Sequence, residues 1–344
     1  VEKRTNIAKS YFGTVLVVVL ILVSWSIFIL LCGENPLSAL YYIVAGAFKS
    51  IDKMYSVINK LFLFFFTALA FSIPSWTGMF NVGADGQLIL GGFCAAALPL
   101  FFCTGFSPVD ITASLFIAMI AGGLWALWPA LLRVHFEISE IVTTLLGNYI
   151  VVYFTEYMVN FPLKSKGASV PRTDYIPDSF QFPKIGSGSL SATIIIVLII
   201  LVAVELFRRR SVSGYEYQVT GQNLFLARQG GVNINAVRIK SMVIGGMLSG
   251  LAGGLLVLSL NYTFMVGFSS DYGMTGMLVA LIAGDLPVAA LVITGIFAVL
   301  QVGAINMQIF TNIPSEITGV LQSIMVFFIA ARGSIKFKKA GGSK

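Results

Sequence analysis

The chain has 344 residues, of which 57% are hydrophobic and only 11% charged, with 34 glycines and a formal net charge of +7. A soluble globular domain carries about a quarter charged residues. The composition therefore excludes a soluble enzyme, a disordered chain and a disulfide-stapled secreted domain, and leaves a polytopic membrane protein without a soluble face broad enough for nucleic acid.

Taken in chain order, the long stretches free of charge predict about ten transmembrane helices in one all-α membrane domain spanning 1–344. They fall roughly at 11–32, 55–75, 87–104, 110–132, 139–160, 190–207, 241–260, 272–284, 287–304 and 315–331. The first follows Lys3, Arg4 and Lys9 and reads as a membrane helix, because it exceeds a signal-peptide apolar core and no small-residue cleavage site follows. An outer loop rich in Pro, Gly and Ser covers 161–189, and an inner loop of mixed charge covers 208–240.

Basic residues set the orientation. With both termini in the cytoplasm, Lys3, Arg4, Lys9, Arg133, Arg208, Arg209, Arg210, Arg228, Arg238, Lys240, Arg332, Lys336, Lys338, Lys339 and Lys344 fall inside. Lys49, Lys53, Lys60, Lys164, Lys166, Arg172 and Lys184 fall outside, an asymmetry of roughly two to one that supports this orientation.

Two glycine-rich segments interrupt the apolar pattern: Phe80-Asn81-Val82-Gly83-Ala84-Asp85-Gly86-Gln87-Leu88 and Asp271-Tyr272-Gly273-Met274-Thr275-Gly276-Met277-Leu278. Both read Gly-x-x-Gly-x-Leu and both open an apolar helix. Ser139-Glu140-Ile141 and Ser315-Glu316-Ile317 form a second matched pair, again at helix starts. Each match is five helices apart. An odd offset turns the second half over, so the pattern predicts inverted repeats over about 11–160 and 190–331, with paired helix breaks marking a passage.

Ionisable and amide residues inside a membrane are costly and default to functional candidates. Here these are Asn81, Asp85, Gln87, Glu140, Asn148, Glu156, Asn261, Asp271, Gln301 and Glu316. Glu140 and Glu316 read first as helix caps; Asp85 and Asp271 divide between capping and the passage; Asn148 reads as interhelical glue. Aromatic residues beside the breaks, Trp76, Phe80, Tyr149, Tyr262 and Phe264, suit either packing or stacking on a planar solute. Cys32, Cys94 and Cys103 lie in or beside apolar runs and imply neither a disulfide framework nor a zinc site. The single histidine, His135, has no partner for a metal motif, and no Gly-x-x-x-x-Gly-Lys-Ser/Thr occurs, so neither a catalytic residue nor a bound cofactor is assigned to this chain.

Four blocks then match a known family in order. Phe80 to Leu88 resembles the FNIGAEGQ signature of membrane permeases of bacterial ABC importers, with Asp85 in place of the usual Glu. Glu140-Ile141-Val142-Thr143-Thr144 with Asn148-Tyr149 is similar to NEVIVTxxLNYI, and Pro314-Ser315-Glu316-Ile317 to VPSEL. Gly214 to Asn223 with Ala227-Arg228 and Gly231-Val232-Asn233 resembles GFELRAVGxNPxAARYAGIN, although Leu224 replaces Pro and Gln229-Gly230 replaces Tyr-Ala. The resemblance runs from about 60 to 331 and is to the nucleoside branch of the branched-chain amino acid and ribose permease family. It implies a permease of type II importer architecture, in the bacterial inner membrane, paired with a second homologous permease or with itself. Two ABC ATPase subunits, which bind ATP and Mg, and an extracytoplasmic substrate-binding lipoprotein complete the implied complex. The paired breaks, with the polar and aromatic residues beside them, point to Phe80, Asn81, Asp85, Gln87, Asn148, Tyr149, Tyr262, Gly273 and Gly276 as translocation-path residues. The resemblance assigns Gln218, Gly221, Asn223, Ala227, Arg228 and Gly231 to coupling with the ATPase. The implied solute is a planar heteroaromatic molecule, a nucleoside first, with riboflavin or a sugar as alternatives; an ion-coupled secondary transporter is the reading from a different class.

Overall fold

A computed structural model describes residues 19–184, 191–311, 313–314, 317, 319–324 and 327–328. The chain folds into helices α1 (Val19–Leu31), α2 (Pro36–Phe48), α3 (Ile51–Ser75), α4 (Ala84–Ala97), α5 (Ser107–Phe136) and α6 (Glu140–Asn160). The series continues with α7 (Thr193–Arg210), α8 (Val212–Gln222), α9 (Leu224–Gln229), α10 (Ile234–Leu256), α11 (Tyr272–Ala283) and α12 (Pro287–Phe310). A π turn, Val257–Asn261, prolongs α10. Extended pairing among the described residues is confined to two isolated bridges, Arg172 with Met265 and Lys184 with Ser191.

Among the described residues four helices are long and apolar enough to cross a membrane: α3, α5, α10 with its π turn, and α12. The pair α1 and α2, bent by 108°, makes a fifth if counted as one span. Helix α2 is not among the predicted helices. Its start is nevertheless written locally: the Asn35 side chain accepts a hydrogen bond from the Leu37 amide and Pro36 occupies the first turn. Helix α10 begins at Ile234, seven residues before the predicted 241, because the Asn233 side chain caps it at the Ala236 amide. A criterion built on charge-free stretches stops short there, since Arg238 and Lys240 lie within the first turns. The first glycine-rich segment opens a shorter helix than predicted, ending at Ala97 in a 3-10 turn, Leu98–Leu100, that contains Pro99. Ser315, Glu316, about half of the predicted last helix and the basic residues of both termini lie outside the described residues.

The chain divides into two compact units, Val1–Val57 with Gly295–Lys344, and Ile58–Thr294. In the first, Ile21, Trp25, Ile29, Ala39, Ile43, Leu300, Met307, Ile313 and Leu321 form the core, and the Trp25 indole donates to the Leu321 carbonyl at 2.9 Å. Asn306 crosses to α2 by donating to the Tyr42 carbonyl at 3.0 Å.

The second unit is built on close backbone approach. Where α4, α5 and α10 meet, a Cβ on Gly250 would lie 2.2 Å from the Ala118 carbonyl oxygen, and one on Gly91 would lie 2.5 Å from the Gly250 Cα. Small residues drive such association in lipid, where water supplies no hydrophobic force between helices. Gly250→Leu is therefore expected to abolish recovery of monodisperse protein. Overpacking costs about 1–3 kcal/mol even against side chains that can yield, and the neighbours here are backbone. Size-exclusion chromatography of detergent-solubilised protein reads this out, with Gly250→Ala expected to be intermediate.

Candidate functional site

The first break follows directly from α3. Pro74 sits one residue before its end, Gly78 takes a left-handed φ of +74°, and the chain restarts as α4 only at Ala84. The backbone groups freed in between cannot be left bare inside a membrane, and side chains from four places satisfy them. Glu140 accepts from the Phe80 amide at 3.3 Å, and Asn81 accepts from the Gly83 amide at 3.2 Å. Asn148 binds both ways, donating to the Val82 carbonyl at 3.0 Å and accepting from the Gly86 amide at 2.8 Å. The Ser249 hydroxyl of α10 donates to the Ala84 carbonyl.

The second break is capped from the first. Asp271, at φ +56°, precedes α11 without capping it through its own side chain. The Asp85 carboxylate takes that place, accepting the Gly273 amide at 2.8 Å and the Ser269 hydroxyl. A carboxylate at a helix N-terminus meets the positive end of the helix dipole. Contact is close: a Cβ on Gly273 would stand 2.3 Å from the Asp85 nitrogen. The two glycine-rich segments, 188 residues apart at Asp85 and Gly273, are thus one structural junction.

Beside this junction lies a cavity of about 440 Å³. One wall is the α6 stripe Leu145, Asn148, Tyr149, Val152, Tyr153 and Glu156, which recurs at three- and four-residue spacing and so shares a helix face. The opposite wall is Phe264 to Met274, with Asp85 and Ile89 between. An extended segment of the 161–189 loop holds that second wall, since the Thr173 amide donates to the Phe264 carbonyl and the Ile176 amide to the Tyr262 carbonyl, both at 2.9 Å. Phe264 stacks on Phe268 at 4.5 Å and meets Phe93 edge-on at 5.5 Å. Tyr149 and Tyr153 are exposed at 56% and 69%, which leaves their rings free for a planar solute. Asp85, Glu156 and Asp271 line the cavity, and among the described residues no Lys, Arg or His does.

Of the residues assigned to the path from sequence, Asp85, Asn148 and Tyr149 line this cavity. Asn81 and Gln87 do not; both are fully buried and paired through two amide hydrogen bonds of 2.9 Å. Phe80 is half-exposed away from the cavity, and Tyr262 turns the chain at φ +56° with its hydroxyl on the Ser259 carbonyl. Gly273 packs on Asp85, and a Cβ on Gly276 would stand 2.1 Å from the Thr67 hydroxyl of α3. Tyr153, Met265, Phe268 and Ser269 were not singled out from sequence. Glu140 is not a simple cap: besides the Phe80 amide it holds Arg133 at 3.1 Å, while Ser139 makes no capping hydrogen bond.

The residues assigned to coupling mostly shape the 208–240 loop. Gln218 donates to the Arg208 carbonyl at 2.8 Å, Asn223 caps α9, Ala227 is buried and Gly231 has φ +75°. Tyr217 is buried against Phe207, and burial pushes its hydroxyl up to about 12, so it stays neutral. Gly221 abuts the Trp76 carbonyl, directly before the first break. The loop exposes Tyr215, Leu224, Phe225 and Leu226, an apolar surface not noticed in the sequence.

The family model for the branched-chain amino acid transport system permease component matches residues 54–330. The guanosine ABC transporter permease protein NupP of Bacillus subtilis is 26% identical over 324 residues, covering 93% of each chain. The nucleoside ABC transporter permease protein NupB of Lactococcus lactis is 30% identical over 322 residues, 89% of this chain and 87% of that one. A probable riboflavin import permease protein of Treponema pallidum is 25% identical over 328 residues, 95% of this chain and 87% of that one. No solved structure matches. With its apolar spans, its paired breaks and this match, the chain is a multi-pass membrane protein that belongs to the branched-chain amino acid transport permease family.

Proposed function

We propose that the chain forms the membrane path of an ATP-driven ABC importer for a neutral planar heteroaromatic solute, a nucleoside in the first place. The observation that carries this reading is the cavity beside the joined breaks, with two exposed tyrosines on one wall, three carboxylates and no cation. Its volume of about 440 Å³ suits a small molecule, and nucleoside permeases among the relatives point the same way. Ten membrane helices in two inverted repeats, with both termini cytoplasmic in a bacterial inner membrane, complete the architecture. The partners are a second homologous permease, two ATPase subunits that bind ATP and Mg, and an external binding lipoprotein. In this scheme the 208–240 loop docks on the ATPase through Tyr215, Phe225 and Leu226, and ATP-driven movement opens the passage in alternation. Riboflavin is the second reading, favoured by the riboflavin permease relative.

Uptake of labelled guanosine by proteoliposomes holding the whole complex tests the proposal. Uptake that requires internal ATP supports it; uptake that survives removal of the ATPase and follows an ion gradient overturns it in favour of a secondary transporter. The anionic cavity carries a further expectation. A nucleoside monophosphate meets three carboxylates with no compensating base, so at a hundredfold excess it leaves guanosine uptake unchanged, whereas unlabelled adenosine or inosine competes.

A further inference from the structure

A second cavity, of about 300 Å³, lies away from the first, between the end of α5, the start of α10 and α9. Arg133, Arg228 and Arg238 line it together with Glu137, Asn235 and the apolar Val134, Leu224 and Ile234. Arg133 is engaged by Glu140 and by the Glu137 carbonyl. Arg228 and Arg238 make no ion pair among the described residues, and the Arg238 Nε is buried without a hydrogen-bond partner. A buried guanidinium N–H left unmet is expensive, and paired guanidinium groups suit phosphate or carboxylate.

Position at the ends of two apolar helices decides between these. Arg133 lies three residues before the end of the span Ser107–Phe136, and Arg238 four residues after the start of the span Ile234–Asn261. Each is about one helical turn, ~5 Å, inside the end of a helix apolar enough to cross a membrane, where basic side chains meet lipid headgroups. Leading to the cavity, α5 carries an exposed apolar stripe, Phe116, Ile120, Leu124 and Leu131, whose helical spacing continues to Val134 in the cavity wall. Only 33% of the α5 apolar window is covered by protein.

We propose that this cavity seats the headgroup of a phospholipid whose acyl chain lies along the α5 stripe. Arg228 and Arg238 hold the phosphate, and Glu137 accepts a hydrogen bond from a headgroup hydroxyl or ammonium. Phosphatidylglycerol and phosphatidylethanolamine fit both halves of the site, whereas phosphatidylcholine carries the phosphate but no such donor.

Native mass spectrometry of the purified complex, titrated with each of the three lipids and separately with inorganic phosphate, tests this. Phosphatidylglycerol and phosphatidylethanolamine are expected to be retained at least tenfold better than phosphatidylcholine. That preference falls about tenfold in Arg238→Gln and in the exposed-residue variant Arg228→Gln, while Arg238→Lys keeps part of it. Equal retention of the three lipids, or unchanged retention in both glutamine variants, overturns the proposal. Inorganic phosphate that displaces phosphatidylglycerol at equal concentration also overturns it, marking a site for the free anion. Loss of ATPase co-purification in both variants with lipid retention intact assigns the arginines to a carboxylate of the partner instead. Since lipid binding is read without transport, its failure is separable from failure of the importer reading.

Discussion

Gly221→Val is expected to reduce ATP-driven uptake at least tenfold while the ATPase still co-purifies. Gly221 is the penultimate residue of α8, in the cytoplasm-facing loop of our scheme, and it has no room for a side chain. A Cβ there would stand 2.4 Å from the Trp76 carbonyl oxygen and 3.2 Å from the Gly78 nitrogen. Those atoms are main chain and cannot rotate aside, so valine must push α8 off the segment that leads into the first break. Trp76 is also tied on its other side, its indole donating to the Asp285 carbonyl at 2.9 Å in the link between α11 and α12. One residue thus touches the loop, the entry to the first break and the exit from the helix that the second break opens. Displacing α8 at a cost of about 2 kcal/mol, within the range for overpacking, exceeds the 1.4 kcal/mol that corresponds to tenfold in rate. The exposed residues Phe225 and Leu226 are unaltered, which is why docking survives. Uptake in proteoliposomes with parallel co-purification separates the two readouts; normal uptake would remove Gly221 from the coupling route.

The sequence shows where the chain breaks but not what the breaks touch. Gly-x-x-Gly at 83–86 and 273–276 is visible as an interruption of apolar pattern, and α4 and α11 begin there as predicted. Asp85, Asn148 and Tyr149 were legible because a charge, an amide and an aromatic near a break are each conspicuous in apolar surroundings. Asn81 and Gln87 are equally conspicuous, yet they satisfy one another in the core. Nothing in a linear pattern distinguishes a polar residue that meets solute from one that meets another polar residue. Helix α2 is hidden for the opposite reason: its thirteen residues fall short of a span by charge-free length, although Asn35 and Pro36 mark a helix start clearly. Met265, Phe268 and Ser269 reach the cavity because hydrogen bonds from the segment 172–176 hold theirs in place, a pairing over about ninety residues of chain that no local signal announces.

The carboxylate of Asp85 carries the second large effect. Asp85→Ala is expected to lower uptake at least tenfold and to lower the thermal stability of the complex. Alanine leaves the Gly273 amide and the Ser269 hydroxyl without their acceptor. An unmet buried donor costs about 1–3 kcal/mol, and here the loss falls on the first turn of α11, at the side chain that ties one break to the other through Ser269 and Gly273. Asp85→Asn tests the reason. Both hydrogen bonds need an acceptor oxygen, which the amide keeps, so asparagine should hold stability near that of the parent protein. It does remove one of three negative charges from the cavity wall. If the charge serves only to cap α11, uptake of guanosine and exclusion of its monophosphate both persist in Asp85→Asn. If the charge also screens solutes, guanosine uptake persists while the monophosphate begins to compete, because Glu156 and Asp271 alone repel it less. We expect the second pattern, since the capping oxygen faces Gly273 while the residue as a whole lines the cavity. Parent-like uptake and stability in Asp85→Ala would dissolve the junction itself, and with it the reason for placing the passage there.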